Sequence, residues 1–386
     1  MEFRLTEQQE KVRGSVREIC AQYPDEYWRK LDEERQYPDE FVEALTKSGW
    51  LGALIPEEYG GLGLGVTEAA IILEEINHSG ANGGACHAQM YTMGTLLRHG
   101  SEDQKKEYLP KIASGELRLQ AFGVTEHNAG TDTTRIETEA RRSSDGDSYV
   151  INGHKSWTSR ARHSDLVLLL ARTTPYDDLT RKTEGLSTFL FDLSTPGIEI
   201  RPSRTMINYD TNEVFFRDVR VPAESLVGEE GKGFKYILDG MNVERILISS
   251  EAIGDGLWFV DRASKYATER VVFDRPIGQN QGIQFPIARA YASIEAASMI
   301  RFKAASLFDA GEKCGAEANM AKLLASEATW EAANAALQTH GGYGFRQDYD
   351  VERKFRETRL FMVAPVSNNL VLSYIGQHVL GMPRSY

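Results

Sequence analysis

Glu244 and Arg245 stand side by side in the stretch GMNVERILI, residues 240–248, whose other members are typical of a buried helix. A carboxylate in a dry pocket binds protons more tightly than it does in water, which makes it a better base towards a carbon acid. The alternative is an ordinary exposed ion pair, because most charged side chains on helices are solvated. The pattern alone favours the exposed pair, so a catalytic role for Glu244 needs further support.

Four other strings contain residue types that could bind a ligand. They are VTEHNAGTD (124–132), NGHKSWTS (152–159), ERVVFDRPIGQNQ (269–281) and QTHGGYG (338–344). Taken one at a time they have structural interpretations, in which Thr125 is a strand residue, Trp157 a core tryptophan and the paired glycines a helix stop. The glycines at 60, 61, 63 and 65 are interpreted as loop residues, because no strand with G-x-G-x-x-G spacing precedes the following helix.

Composition and charge exclude several classes of function. The net charge of −12 and the isoelectric point near 5.3 argue against non-specific binding to nucleic acid or to an anionic membrane. Cys20, Cys86 and Cys314 are scattered and free of CxxC spacing, which favours a reducing compartment without a disulfide framework. There is no HExxH or GxSxG motif, and His78, Cys86 and His87 form no convincing metal-ligand set, so no metal site is predicted.

The chain carries no evident targeting or membrane signal. MEFRLTEQQEK lacks the apolar core of a secretory signal, and the longest apolar run, LVLLLA at 166–171, is too short to span a bilayer. A cytoplasmic protein is expected, although a mature organellar form would look the same.

The change in hydrophobic period predicts a multi-domain α+β protein. Residues 1–115 read as an N-terminal all-α domain, with Thr6 as the cap of the first helix. Residues 116–228 hold short β-rich runs without helix-length crossovers, which predicts a middle antiparallel β domain. Residues 229–386 return to the helical period with short connections and predict a C-terminal four-helix bundle.

Taken together, the strings resemble those of the acyl-CoA dehydrogenase family of flavoproteins. IPEEYGGLG, VTEHNAGTD, NGHKSWTS, GEEGKGF, ERVVFDRPIGQNQ and QTHGGYG follow in the order of the family and at about its spacing. The resemblance runs almost from end to end of the chain. It implies FAD as the cofactor, an acyl-CoA thioester as the substrate and an electron-transferring flavoprotein as the electron acceptor.

The resemblance also assigns residues to the flavin. Thr125 would hydrogen-bond the pyrimidine side of the isoalloxazine, Trp157 would pack on its face, and Ser159 would present a hydroxyl to N5. The other positions implied at the cofactor in this part of the site are Phe122, Val124, Gly130, Thr131 and Thr158, with Ser367 and Asn369 from the carboxy-terminal segment.

A second group of residues matches positions that hold the FAD diphosphate from a neighbouring subunit. Arg270 would meet the pyrophosphate, since a guanidinium is permanently charged and bidentate towards phosphate. The same two motifs supply Phe273, Gln281, Gln338, Gly341 and Gly342. A cofactor completed across an interface implies an oligomer, and the resemblance implies a homotetramer.

The position of the catalytic base departs from the commoner pattern of the family. The usual glutamate lies in a Y-E-G-T motif before the last helix, where this chain has VAPVSNN, 363–369, with Pro365 at the glutamate position. Relatives resembling isovaleryl-CoA and long-chain acyl-CoA dehydrogenases carry the base before an arginine in the first bundle helix, which here is Glu244. The resemblance therefore implies Glu244 as the base, with Asn242, Arg245, Thr131 and Ala364 near the substrate.

Pro365 raises a second question, because the backbone N–H at that position helps to polarise the thioester carbonyl in relatives and proline has none. Another donor could replace it, the register could differ by one residue, or the chemistry could differ.

Three interpretations of the function follow. The first is α,β-desaturation to a trans-2-enoyl-CoA in fatty or branched acyl-CoA metabolism. The second is an enoyl-CoA reductase or non-oxidative desulfinase-like lyase on the same fold, and the third is a flavin-bearing binding protein. The acidic charge disfavours the last. Ala364 and the small residues GANGGA, 80–85, suggest room for a branched or bulky acyl chain.

Overall fold

The computed structural model describes residues 4–207 and 210–384. The chain divides into two compact units, each built from separate stretches of sequence. The helical unit comprises Met1–Arg35, Leu64–Gly83 and Asn242–Tyr386, and the β unit comprises Gln36–Gly63 and Gly84–Met241. The predicted domain division at residues 115 and 228 stays a prediction.

The helices are listed here in chain order: α1 (Glu7–Cys20), α2 (Asp25–Glu34), α3 (Asp39–Lys47), α4 (Val66–His78), α5 (Gly84–His99), α6 (Glu102–Ser114), α7 (Gly233–Glu269), α8 (Gln281–Asp309), α9 (Gly315–His340), α10 (Val351–Thr358) and α11 (Asn368–Tyr374). The strands are β1 (Ala121–Gly123), β2 (Glu139–Arg142), β3 (Ser148–Ser159), β4 (Leu166–Arg172), β5 (Leu186–Asp192), β6 (Ile198–Pro202), β7 (Thr211–Pro222), β8 (Leu226–Val227), β9 (Val271–Val272) and β10 (Arg275–Pro276).

The β unit is organised around one sheet with the strand order β6-β7-β3-β2-β4-β5-β8, in which β1 also pairs with β4. Most neighbours are antiparallel, as the sequence predicts, but β4 pairs in parallel with both β1 and β2. These exceptions arise because neither strand is joined to β4 by a tight turn. Phe189, Val214 and Phe216 lie in the core on one side of the sheet, while Leu168 and Leu190 pack with residues of α5 and α6 on the other.

The helical unit contains the long helices α8 and α9 and most of α7. Alanines such as Ala297 and Ala332 lie in the core that these helices share, where they let the backbones approach closely, and Phe259 and Ile294 fill the remaining space. At the edge of the unit, Asp309 of α8 accepts hydrogen bonds from the first backbone N–H groups of α4. This carboxylate satisfies donors that a helix leaves open at its amino end.

Several boundaries follow the sequence predictions closely. Thr6 caps α1 in a capping box with Gln9, and α9 ends at His340 with Gly341 in the left-handed region at φ 58°. The sequence interpretation overlooked β2, β8, the hairpin β9–β10 and α10, which are too short for a clear hydrophobic period. The fourth helix of the bundle, α11, is only 7 residues long and continues into a π-helical turn.

None of the helices in the described part of the chain combines the length and apolarity that crossing a bilayer requires.

Candidate active site

Trp157 is displaced from the regular alternation of β3. The pairing of β3 with β7 shifts register between Lys155 and Thr158, and Trp157 itself has a φ of 60°. Its indole is 64% exposed. A positive φ is strained for a bulky side chain, and bulges commonly redirect a side chain at a functional site. The bulge therefore presents a large aromatic face that a planar ligand could cover.

The backbone beside Trp157 is held by a buried ion pair that the sequence interpretation did not identify. Lys155 Nζ lies 2.7 Å from Glu126 Oε1 and donates a 3.0 Å hydrogen bond to the carbonyl oxygen of Val124. Glu126 also accepts the backbone N–H groups of Glu137 and Thr138. Both residues lie inside the quoted strings, but they are 29 positions apart in the chain, so no local pattern marks them as a pair.

The ionisation of this pair follows from its surroundings. Burial lowers the pKa of Lys155 to about 8, against the opposing effect of Glu126. Burial would raise the pKa of Glu126, but Lys155 and the N–H of Glu137 outweigh it and leave that pKa below its ordinary value. Both groups are therefore charged near neutral pH.

The structure brings the two strings of the β unit together. The backbone N–H of Ser156 donates a 2.9 Å hydrogen bond to the carbonyl oxygen of Thr125, so Thr125 lies beside the bulge that carries Trp157. Thr158 is fully buried, and among the described residues its hydroxyl has no hydrogen-bond partner. Such an atom suits a ligand, because an unsatisfied buried hydroxyl is costly.

The remaining predicted residues of the β unit differ in exposure. Phe122, on β1, contacts the ring of Tyr91 with centroids 5.5 Å apart. Gly130 and Thr131 are exposed, while Val124 and Ser159 are half-buried. Thr133 donates a hydrogen bond to the carbonyl oxygen of Gly130, which helps to hold this loop.

A second group of predicted residues meets in a pocket of about 510 Å³ within the helical unit. Arg270, Gly341 and Gly342 line it, as does Arg346, which the sequence interpretation missed. A Cβ at either glycine would meet no atom within 4 Å, so the backbone there is open to a ligand. The guanidinium of Arg270 lies over the ring of Tyr343, 5.6 Å from its centroid. Two arginines and exposed backbone make this pocket suitable for an anion.

Phe273 lies at the tip of the hairpin formed by β9 and β10. Phe273 and Asp274 both have positive φ values, 52° and 61°, which is the conformation of a type I′ hairpin turn. The ring is 93% exposed. Phe273, Gln281 and Gln338 are not among the described residues that line this pocket, so it does not bring them together with Arg270.

Glu244 is buried, with 6% of its surface exposed, so the interpretation as an ordinary exposed ion pair is excluded. Its neighbour Arg245 is half-buried and donates a 3.3 Å hydrogen bond to Oδ1 of Asn242. Burial lowers the pKa of Arg245, while Glu244, Tyr374 and Cys314 act in the opposite direction. The predicted base and its two predicted companions thus form one cluster on α7.

A second buried carboxylate, Glu251, follows on the same helix with 4% of its surface exposed. Seven residues make about two turns of an α-helix, so Glu244 and Glu251 share one face of α7. The position of Glu251 makes it a natural comparison for any experiment on Glu244.

The carboxy-terminal segment supplies Ala364, Ser367 and Asn369. Ser367 caps α11 by accepting the backbone N–H of Leu370, so its hydroxyl has a structural role. Asn369 is exposed and Ala364 is half-buried. Pro365 lies between them, and the nearest backbone donor before it, the N–H of Ala364, is bonded to the carbonyl oxygen of Leu360. The N–H of Ala364 is therefore not available to replace a backbone donor at position 365.

Within residues 4–207 and 210–384, no group of three or more His, Cys, Asp or Glu side chains is arranged to hold a metal ion. The observed features are instead typical of a protein that binds a planar, anionic organic cofactor. They are the exposed indole of Trp157, the unpaired buried hydroxyl of Thr158, and the pocket lined by Arg270 with its open glycine backbone. These groups fit the isoalloxazine and the diphosphate of FAD.

Comparisons with known proteins assign the family. Sequence models of the acyl-CoA dehydrogenase N-terminal, middle and C-terminal domains match residues 6–116, 121–219 and 231–380. The chain belongs to the acyl-CoA dehydrogenase family. It is a flavoprotein with FAD as its cofactor, and an oxidoreductase that acts on CH–CH groups.

Relatives within the family differ in their named reactions. The chain is 35% identical to acyl-CoA dehydrogenase FadE12 of Mycobacterium tuberculosis, over 100% of this chain and 99% of that protein. It is 34% identical to the 3-(aryl)acrylate reductase of Clostridium sporogenes, over 97% of this chain and 99% of that one. Among solved structures, the glutaryl-coenzyme A dehydrogenase glutaryl-CoA complex matches with a TM-score of 0.92 and 31% identity, over 100% of this chain and 98% of that chain.

Proposed function

We propose that the protein is an acyl-CoA dehydrogenase that converts an acyl-CoA thioester to its trans-2-enoyl-CoA, with Glu244 as the base. The observation that carries the proposal is the burial of Glu244 beside Arg245 in a chain that has proline at the alternative base position. A carboxylate with 6% exposure is out of place as a surface residue and is suited to proton abstraction.

Each residue has a defined task in this reaction. Bound FAD supplies the acceptor for the hydride that leaves the β-carbon of the substrate. Glu244 removes the proton from the α-carbon, and its burial reduces the competition of water for that carboxylate. Arg245 offsets the charge of Glu244 and is itself held by Asn242. In the β unit, Trp157 covers the cofactor face and Thr125 and Thr158 provide its polar contacts.

The test is anaerobic bleaching of the flavin by a panel of straight, branched and bulky acyl-CoA thioesters. We expect the wild type to bleach with at least one of them. Glu244→Gln should retain the flavin spectrum, but its bleaching rate should fall by a factor of roughly 100 to 10,000, the range typical of general acid–base catalysis. Glu251→Gln is the matched control, since it neutralises a buried acid on the same helix face and should keep most of the rate. Fast bleaching in E244Q would show that the base lies elsewhere.

An enoyl-CoA reductase is the second candidate, and a specific observation favours it. One relative at 34% identity is named as a reductase. Pro365 does not separate the two reactions, because they are opposite directions through one transition state and both need the thioester carbonyl polarised. Chemically reduced enzyme mixed with enoyl-CoA distinguishes the two: a reductase reoxidises its flavin at once, whereas a dehydrogenase is bleached faster in the forward direction.

We also propose a homotetramer that transfers electrons to an electron-transferring flavoprotein. Support for assembly comes from large apolar side chains that are exposed within the helical unit, among them Phe273, Phe285 and Phe345. Exposed apolar area of this kind is typical of an interface. Light scattering of the purified holoprotein should give four times the chain mass. A monomer that retains FAD would contradict both the tetramer and the completion of the cofactor site by Arg270 of a second copy.

The type of acyl chain and the cellular compartment are two further proposals. A branched or bulky acyl substrate is supported by the small side chain at Ala364 and is addressed by the thioester panel. A reducing compartment such as the cytoplasm is supported by three cysteines that are all buried and free.

A further inference from the structure

The pocket lined by Arg270 also contains an imidazole that has no role in the proposed reaction. His340 is the last residue of α9, directly before Gly341 and Gly342, and it lines the same cavity of about 510 Å³. Only 5% of its surface is exposed. Pockets for drug-sized organic ligands are roughly 300–1,000 Å³, so this cavity suits a ligand larger than a diphosphate alone.

The hydrogen bond between His340 and its own helix decides which ring nitrogen carries the proton. Nδ1 lies 2.8 Å from the carbonyl oxygen of Ala336. Because a carbonyl oxygen only accepts, Nδ1 must donate, and in the neutral ring Nε2 is then an acceptor. Burial lowers the pKa of His340, against the opposing effect of this hydrogen bond, and so favours the neutral ring. Among the described residues Nε2 has no hydrogen-bond partner.

The ring of His340 is held in place by its aromatic neighbours. It stacks on Tyr266 with the ring centroids 4.2 Å apart and the planes 26° from parallel, and the ring of Tyr349 lies edge-on to it at 6.0 Å. Tyr266 and Tyr343 line the cavity as well. Since Nδ1 is turned towards the backbone of α9, Nε2 is the nitrogen left for a ligand. The wall of the cavity therefore combines aromatic rings with one acceptor of fixed tautomer.

We propose that His340 is a specificity residue for the cofactor, whose Nε2 accepts a hydrogen bond from the amino group of the adenine of FAD. This inference rests on the proposed cofactor site at Arg270 and does not depend on Glu244 as the base. An amino group only donates, whereas the keto oxygen that replaces it in hypoxanthine only accepts. An acceptor of fixed tautomer therefore selects adenine, and a planar base also suits the aromatic wall.

The experiment compares FAD with its deaminated analogue, in which hypoxanthine replaces adenine, and with FMN, which lacks the adenine nucleotide. The dissociation constant of each is measured by flavin fluorescence on the whole chain after the bound flavin has been exchanged. His340→Phe keeps a ring against Tyr266 but removes the acceptor, whereas His340→Gln keeps an acceptor. His378→Phe is the matched control at an exposed position of the helical unit. Arg270→Gln tests the cofactor site itself.

We expect the wild type to bind FAD more tightly than the deaminated analogue by roughly threefold to tenfold, the effect of one hydrogen bond. H340F should lose this preference, and its dissociation constant for FAD should rise by the same factor while that for FMN stays unchanged. H340Q should keep part of the preference, and H378F should keep all of it. R270Q should weaken FAD and its analogue alike, because both carry the diphosphate.

Equal binding of FAD and the deaminated analogue by the wild type overturns the inference, and this outcome does not depend on whether H340F folds. An H340F protein that retains the preference also overturns it, as does one whose affinity for FMN falls as much as that for FAD. If R270Q binds FAD as tightly as the wild type, the proposed cofactor site fails together with this inference. Flavin bleaching by acyl-CoA tests the proposed base separately.

Discussion

The ammonium of Lys354 lies 2.6 Å from Oδ1 of Asp255, and neither side chain is exposed to solvent. The pair joins α10 to α7 inside the helical unit. Asp255 also accepts hydrogen bonds from Asn77 and Thr358, and Lys354 donates one to the carbonyl oxygen of Ala81. This relationship ties the loop after α4 to two other helices through groups that are almost fully satisfied.

The pair predicts a pH dependence of stability. Burial raises the pKa of Asp255 to about 6, against the opposing effect of Lys354. The folded state therefore binds this proton more tightly than the unfolded state, whose pKa is about 3.9. The resulting stability is complete below about pH 4 and is lost as the pH rises through about 6. The free energy of unfolding of the wild type, relative to Asp255→Asn, should fall across this interval by up to about 3 kcal/mol.

Urea unfolding of both proteins at a series of pH values measures this difference. Asp177→Asn is a suitable control, because Asp177 is exposed and should leave the pH dependence of the wild type unchanged. Parallel curves for wild type and D255N would show that Asp255 has the same proton affinity in the folded and unfolded states.

Breaking the pair Lys155–Glu126 should lower both the stability of the fold and the affinity for FAD. Lys155→Met leaves Glu126 buried without its cation, and breaking a buried pair in this way costs about 3–5 kcal/mol. Because the ammonium also holds the carbonyl oxygen of Val124, FAD should dissociate more readily as well. Thermal unfolding and flavin release report the two effects. Glu199→Gln, which removes a surface carboxylate paired with Arg201 and Arg217, should leave stability nearly unchanged.

Removing the indole of Trp157 should weaken the binding of FAD without destabilising the fold. Because the indole is 64% exposed, Trp157→Ala should leave the melting temperature of the apoprotein nearly unchanged. The dissociation constant of FAD should rise by roughly tenfold, which corresponds to about 1.4 kcal/mol of lost stacking and burial. Trp157→Phe retains an aromatic face and should recover part of the affinity. A large drop in apoprotein stability for W157A would mean that the indole supports the core instead.

The order of structural classes along the chain could be predicted from the sequence because it depends on local physics. Thr6 caps α1 with its own side chain, and Gly341 ends α9 by adopting a positive φ. Long helices such as α7 repeat their apolar residues often enough to be recognised. β8 and β9 have two residues each, so no period could reveal them.

In the candidate site too, some residues could be predicted from the sequence and others could not. Glu244, Arg270 and Trp157 could be proposed from the sequence because they stand in motifs, and a motif is a property of the chain. Glu126 and Lys155 form a pair 29 positions apart, and Lys322 meets Asn368 46 positions away. No local pattern marks such pairs.

By itself the sequence determined the family, the cofactor and the residue types available for chemistry, since these depend on which side chains are present and in what order. Only the tertiary structure decided that Glu244 is buried, that Trp157 is exposed on a bulge and that Lys322 meets Asn368. Burial and electrostatic coupling arise from packing between distant segments, and no neighbour in the chain specifies them.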